Sequence, residues 1–186
     1  MKKLIVGLSG ASGGIMGVQL LRALRALPDV ETHLVVTDGA LLSLSRETDV
    51  TREEVASLAD HVYDVRDLAA PIASGSFLAD GMIVCPCSMK SLAGLVTGYS
   101  ENLLLRAADA TLKEGAPVVL VPRETPLSRV HLRNLHEAGE LGFLIVPPVL
   151  TFYSKADTLE RQIDHIIGKV LHFFGITYEK FVPWQG

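Results

Sequence analysis

The stretch Lys3-Leu-Ile-Val-Gly-Leu-Ser-Gly-Ala-Ser-Gly-Gly-Ile15 decides the fold. Its first half is apolar at nearly every position, as a strand buried on both faces must be. Its second half is a turn rich in glycine and serine. From Ile15 to Ala26 the apolar residues Ile15, Val18, Leu21 and Leu24 recur every three positions, which is the spacing of a helix. Strand, glycine turn and helix in that order open a parallel α/β sheet, and in such sheets ligands bind outside the carboxyl ends of the strands.

Beyond Ala26 the same alternation continues. Thr32 to Val36, Gly81 to Cys85, Pro117 to Val121 and Phe143 to Val146 read as strands. Thr51-Arg-Glu-Glu54 is a capping box, so a helix begins after Thr51. Further helices are predicted from about Lys90, over Leu103–Glu114, over Leu127–Ala138 and over Thr158–Phe174. In the last, Leu159, Ile163, Ile166, Ile167, Val170, Leu171 and Phe174 form one stripe. A turn is expected at Pro86. The expectation is a single α/β domain over 1–186, a three-layer, doubly wound parallel sheet of the Rossmann-like or flavodoxin-like kind.

Bulk properties agree. The chain has 186 residues, 48% of them hydrophobic and 20% charged, enough for one packed core. Mean hydropathy is +0.33, yet no window supplies the roughly 18 apolar residues that a spanning helix needs. The surplus apolar surface points instead to burial between subunits. A net charge of −4 argues against a nucleic-acid partner. The two cysteines, Cys85 and Cys87, make neither a disulfide framework nor a zinc set and read as packing residues. The segment before Ser9 is too short for a signal-peptide core, and a cytoplasmic location is expected. His131 and His136 are five apart, and His165 and His172 lie on the last helix, so no metal site is expected.

Three loops carry the candidate chemistry. Gly7 to Gly14 holds four glycines and two hydroxyls, which serve either a tight turn or an anion at the following helix start. It lacks the G-x-G-x-x-G spacing of dinucleotide sites and the lysine of a P-loop. Gly10-Ala-Ser-Gly-Gly14 matches the hydrolase elbow, but only one strand precedes it. Cys85-Pro-Cys-Ser-Met-Lys-Ser91 follows another strand, with Ser88 and Ser91 as natural caps. Lys90 near a helix start suits an overlying anion or flavin. Arg106 and Lys113, seven apart on one helix, can share a face, which serves either solvent or a phosphate.

Together these blocks resemble the UbiX-type flavin prenyltransferases. The similarity rests on Gly7–Gly13, Cys85–Lys90, Arg106-Ala-Ala-Asp109, Leu112-Lys-Glu114, Val121-Pro-Arg-Glu-Thr-Pro126, His131-Leu-Arg-Asn134, and Pro147-Pro148 followed by Phe152-Tyr153. It implies an FMN-binding enzyme that joins the dimethylallyl group of dimethylallyl phosphate to N5 and C6 of reduced FMN. Phosphate leaves without a metal, and the product, prenylated FMN, passes to a UbiD-type decarboxylase. It also implies a homo-oligomer, a dodecamer with sites between subunits. By position, Gly10, Ala11, Ser12, Thr37, Ser88, Met89, Lys90, Ser91 and Arg123 would contact the flavin. Arg106, Lys113, Glu124, Tyr153, Lys169 and Trp184 would hold the dimethylallyl phosphate, and Ser12, Glu47 and Glu124 would be catalytic. Lys169 stands where arginine is common in the family, keeping the charge without the two-pronged fork. A flavin-dependent cysteine decarboxylase would carry a Pro-x-Met-Asn-type motif, which is absent. A non-catalytic flavoprotein subunit would have lost the cations, which are present.

Overall fold

The computed structural model describes residues 1–184. Strand β1 (Lys2–Leu8) leads through the glycine turn into helix α1 (Gly14–Arg25). Then follow β2 (Val30–Val36), α2 (Asp38–Glu47), α3 (Arg52–Ser57), β3 (His61–Tyr63) and two 3-10 turns (Pro71–Ala73 and Gly75–Phe77). The second half runs β4 (Gly81–Cys87), α4 (Met89–Thr97), α5 (Leu103–Lys113), β5 (Val118–Pro122), α6 (Arg129–Glu140), β6 (Leu144–Ile145) and α7 (Leu159–His172). All six strands pair in parallel, in the order β3-β2-β1-β4-β5-β6. The order reverses between β1 and β4, so the doubly wound reading holds and its switch point lies beside the glycine turn.

Alternation along β1, β4 and β5 feeds two separate cores. Leu4, Val6, Leu8, Ile83, Cys85, Val119 and Val121 face α1 and α7. Ile5, Met82, Val84, Cys87, Val118 and Leu120 face α4 and α5. Both sheet faces are therefore covered, which is why the strands read as unbroken apolar runs. The α7 stripe buries Ile163, Ile166, Ile167, Val170 and Leu171, with Phe174 just beyond the helix, each contributing on the order of 1.5–3 kcal/mol of burial, whereas Leu159, expected in the stripe, is exposed at the helix start.

Thr51 and Glu54 form the expected capping box, Glu54 Oε2 accepting the Thr51 N–H at 2.7 Å and Thr51 Oγ1 accepting the Glu54 N–H at 3.1 Å. One expectation is corrected. The chain does not turn at Pro86, because β4 runs on to Cys87 with a register shift between Val84 and Cys87, and the turn falls at Ser88. Burial pushes both thiols, Cys85 and Cys87, up to about 12, with the neighbouring Cys87 adding to the effect on Cys85. They are free and buried, as packing residues should be.

Candidate active site at the sheet switch point

At the carboxyl ends of β1, β2 and β4 a cleft of about 650 Å³ opens. Gly10, Thr37, Gly39, Ser88, Lys90 and Ser91 line it, and it continues along Ala93, Gly94 and Tyr99 towards Asn102. The volume suits a cofactor-sized ligand. Its inner edge is a contact between two turns. A Cβ on Gly10 would lie 3.0 Å from the Gly39 backbone, and one on Gly39 would lie 3.2 Å from Gly10 Cα. Glycine at both positions lets the β1 and β2 turns meet.

Helix starts surround the cleft. Thr37 caps α2, its Oγ1 accepting the Ala40 N–H at 3.2 Å. Ser88 caps α4, its Oγ accepting the Ser91 N–H at 3.2 Å and donating to Ser91 Oγ at 3.1 Å. Ser9 ties the first turn to the second. Its fully buried hydroxyl donates to Pro86 O at 3.0 Å and accepts the Ser88 N–H at 2.7 Å.

The start of α1 is capped from another helix. Its cap residue, Gly13, has φ 90 and no side chain to offer. Its N–H instead donates to Glu47 Oε2 at 2.7 Å, from the far end of α2. The anion at this helix start is thus the chain's own carboxylate, favourably placed against the helix dipole. Ser12 precedes Gly13 in the chain and is exposed.

Lys90 lines the cleft. Its ammonium pairs with Glu101 at 2.9 Å on the outer rim of the cleft, so an internal carboxylate is its partner. The opposite rim carries the exposed Arg66–Asp38 pair. Met89 packs its side chain against the core beneath α4, which leaves its backbone as the part near the cleft. Ala11 is buried at 8% exposure.

The remaining candidates lie in three other places on the protomer. Arg123 follows β5, and its N–H donates to Cys87 O at 3.1 Å, placing the Arg123–Glu124 turn against the start of α4. Glu124 Oε1 accepts the Thr125 N–H at 3.0 Å. Arg106 and Lys113 are exposed together with the half-buried Asp109 on the outer face of α5. Arg106 Nε donates to Ala73 O at 3.3 Å, and its guanidinium lies 3.8 Å from Asp109. Tyr153 shares a hydrogen bond of 3.1 Å with His165 on α7 and meets Trp184 edge to face at 5.5 Å. Lys169, one turn further along α7, holds its ammonium 5.4 Å from the Phe181 ring centroid. Burial, reinforced by the Lys169 charge, holds the His165 imidazole below its usual 6.5.

Comparison with known proteins now decides the family. The Flavoprotein family profile matches residues 1–174. A protein of Sedimentibacter hydroxybenzoicus described as a probable UbiX-like flavin prenyltransferase is 56% identical over 99% of this chain and 97% of its own. Flavin prenyltransferase UbiX of Escherichia coli K12 is 50% identical over the whole of both chains. Among solved structures, a dodecameric FMN-dependent UbiX-like decarboxylase from Escherichia coli O157:H7 superposes with a TM-score of 0.97 at 48% identity, covering 99% of this chain and 100% of that one. AnUbiX (PadA1), in complex with FMN and dimethylallyl pyrophosphate, does so at 0.96 and 46% identity, covering 100% and 98%.

The chain belongs to the UbiX family of flavin prenyltransferases.

In this UbiX-family chain the switch-point cleft fits a flavin. Small residues (Gly10, Gly39, Ser91, Ala93, Gly94) leave a floor without bulky side chains, and the hydroxyl-capped starts of α2 and α4 border it. Sequence reasoning missed Ser9 as a site residue, although its Ser-Gly context marks the turn. It also missed the salt-bridged rims, which depend on contacts between distant segments. Among the described residues the one grouping of metal-type ligands, Glu31 with His33 and His61, lies outside the cleft lining.

Proposed function

We propose that this protein prenylates reduced FMN with dimethylallyl phosphate, forming bonds at N5 and C6 and releasing phosphate without a metal. The observation that carries the reading is the switch-point cleft, cofactor-sized and bordered by hydroxyl-capped helix starts, in a chain related over its full length to flavin prenyltransferases. When bound, the reduced flavin supplies the nucleophilic nitrogen and ring carbon.

The chain's own residues supply position, charge and proton transfer. Gly10, Ala11, Thr37, Ser88 to Ser91 and Arg123 hold the flavin. Glu47 accepts the Gly13 N–H at the α1 start, one residue after Ser12, and this hydroxyl and carboxylate carry a proton away from the forming bond. Glu124 is the second proton carrier, beside the departing phosphate. Arg106, Lys113 and Lys169 balance the charge that gathers on that phosphate, an effect strongest where water is excluded. Tyr153 orients the donor and Trp184 shields the allylic cation through its ring face.

Arg106 and Lys113 stand on the outer face of α5, and Tyr153 and Lys169 stand against α7. This separation supports a site completed across subunits of a homo-oligomer, taken here to be a dodecamer. The product is handed to a UbiD-type decarboxylase in the same compartment, which we take to be the cytoplasm. No described helix is long and apolar enough to cross a membrane.

The test is anaerobic incubation of the protein with reduced FMN and dimethylallyl phosphate, followed by mass spectrometry of the extracted flavin. A flavin heavier by one dimethylallyl unit, with phosphate released in the presence of chelator, is expected. Unmodified flavin with both the monophosphate and the diphosphate would overturn the proposal.

A further inference from the structure

On the outer half of the sheet, away from the cleft, β2 and β3 bring two histidines into direct register. His33 pairs with His61 in the parallel ladder. Partners in register project to the same face of a sheet, and so do residues two apart on one strand. Glu31 therefore joins the two imidazoles on that face. One donor atom from each residue lies within 4.8 Å of the other two. His33 precedes Thr37 by four residues, or roughly 13 Å of strand, so this grouping stands well back from the cleft.

The distances have the scale of a coordination shell. Glu31 Oε1 lies 3.3 Å from His33 Nε2 and 2.9 Å from His61 Nε2. Ligands held about 2.0–2.1 Å from a tetrahedral ion stand roughly 3.3 Å apart. The second observation is an unmet need. His33 Nε2 is buried and has no hydrogen-bond partner. It is close enough to Glu31 for an ion pair, yet misaligned for a hydrogen bond. The other ring nitrogen, Nδ1, is engaged by the Tyr63 hydroxyl at 2.9 Å. With Nδ1 as the donor in that bond, Nε2 is left with a bare, buried lone pair close to the Glu31 carboxylate, an arrangement that a cation bound by both resolves.

We propose that Glu31, His33 and His61 form a binding site for a divalent transition-metal ion of the zinc class, with solvent completing the shell. Two imidazoles and one carboxylate are zinc-type ligands, whereas calcium and magnesium take oxygen. Support from neighbouring groups is already in place. Tyr63 fixes the ring plane of His33, as outer partners of metal-bound histidines do. Phe77 closes the inner side edge-on to His33 at 4.8 Å. The His33 side chain is 3% exposed and that of His61 is 50% exposed, so one ligand is rigid and the other opens to solvent. The two rings stack at 4.6 Å. Seating the ion turns the exposed His61 ring out of this stack, while His33 stays fixed. The site is independent of the prenyl-transfer reading, and its test needs no turnover.

The full-length, tag-free protein is dialysed against chelator and titrated with Zn2+ by calorimetry and with Co2+ by visible absorption. About one ion per chain is expected, with Co2+ giving the intense visible bands of a four-coordinate site. Glu31→Gln and His61→Ala, both at partly exposed side chains, should each weaken binding at least about tenfold. His136→Ala, on the surface of α6, should leave it unchanged, and a large excess of Mg2+ should not compete. Absence of Zn2+ binding, binding that survives both ligand substitutions, or binding lost in His136→Ala would each overturn the proposal.

Discussion

Gly10 and Gly39 meet backbone to backbone, and a methyl group at either would close the contact to about 3 Å. Backbone atoms cannot swing aside as a side chain can, so the two turns must separate. Gly10→Ala should therefore weaken FMN binding by at least about tenfold while leaving the melting temperature nearly unchanged, because the strain falls on exposed turns. Fluorescence titration and thermal melting separate the two effects. Glu47 is a sharper case, since the carboxylate that caps α1 is also the one proposed as a proton carrier. Its replacement by alanine should cost about 1 kcal/mol, the usual worth of a cap, and should abolish most turnover. Glutamine keeps an acceptor for the Gly13 N–H, so Glu47→Gln should recover the stability and not the activity. If Glu47→Gln turned over normally, Glu47 would be a structural cap alone.

Between elements, the Ser9 side chain joins the β1 turn to the β4 turn. Ser9→Ala leaves the Ser88 N–H and the Pro86 carbonyl without that partner in a buried place, at a cost of about 1–3 kcal/mol. Urea denaturation should show the loss, and FMN affinity should fall with it because Ser88 also caps α4. The elements themselves were largely legible in the sequence. β1, β4 and β5 announce themselves as apolar runs because both their faces are covered. α7 does so through its stripe. α2 gives a weak signal, since it buries only Ala40 and Leu44 over ten residues. β3 is three residues long with His61 and Val62 exposed, so it shows no alternation to read. The turns were legible as ligand loops from their glycines and serines. Their cross-links were not, because Ser9 and Ser88 are 79 residues apart and nothing local signals that they meet.

At the scale of the whole molecule, two behaviours follow. His165 is buried and its folded-state value lies below 6.5. The unfolded chain thus takes up a proton near pH 6.5 that the folded chain accepts only at lower pH. Stability from this group is complete above pH 6.5 and falls as the pH drops below it. Melting temperatures should decline from pH 7 to pH 5, and His165→Asn should flatten part of that slope. The second behaviour is assembly. Exposed Val130, Leu132, Val149, Leu150 and Phe152 leave apolar surface that a lone 20.1 kDa protomer would show to water. Light scattering should find a mass near twelve protomers. Co-expressing Arg106→Ala with Tyr153→Phe, each inactive alone, should restore part of the activity if every site draws on two subunits. No recovery would place all the groups of one site in a single chain.

The strand order has a further consequence during synthesis. β1 leaves the ribosome before β2 and β4, yet it lies at the centre of the sheet, with β2 on one edge and Leu4 to Gly7 paired with Gly81 to Val84 on the other. Until β4 has followed, one side of this largely apolar strand has no partner. A nascent chain stalled between β3 and β4 would carry an open, sticky edge that another copy could occupy. Chains truncated before Gly81 should aggregate rather than persist as half-domains. The same feature that puts the cleft at the middle of the sheet makes its assembly wait for the second half of the chain.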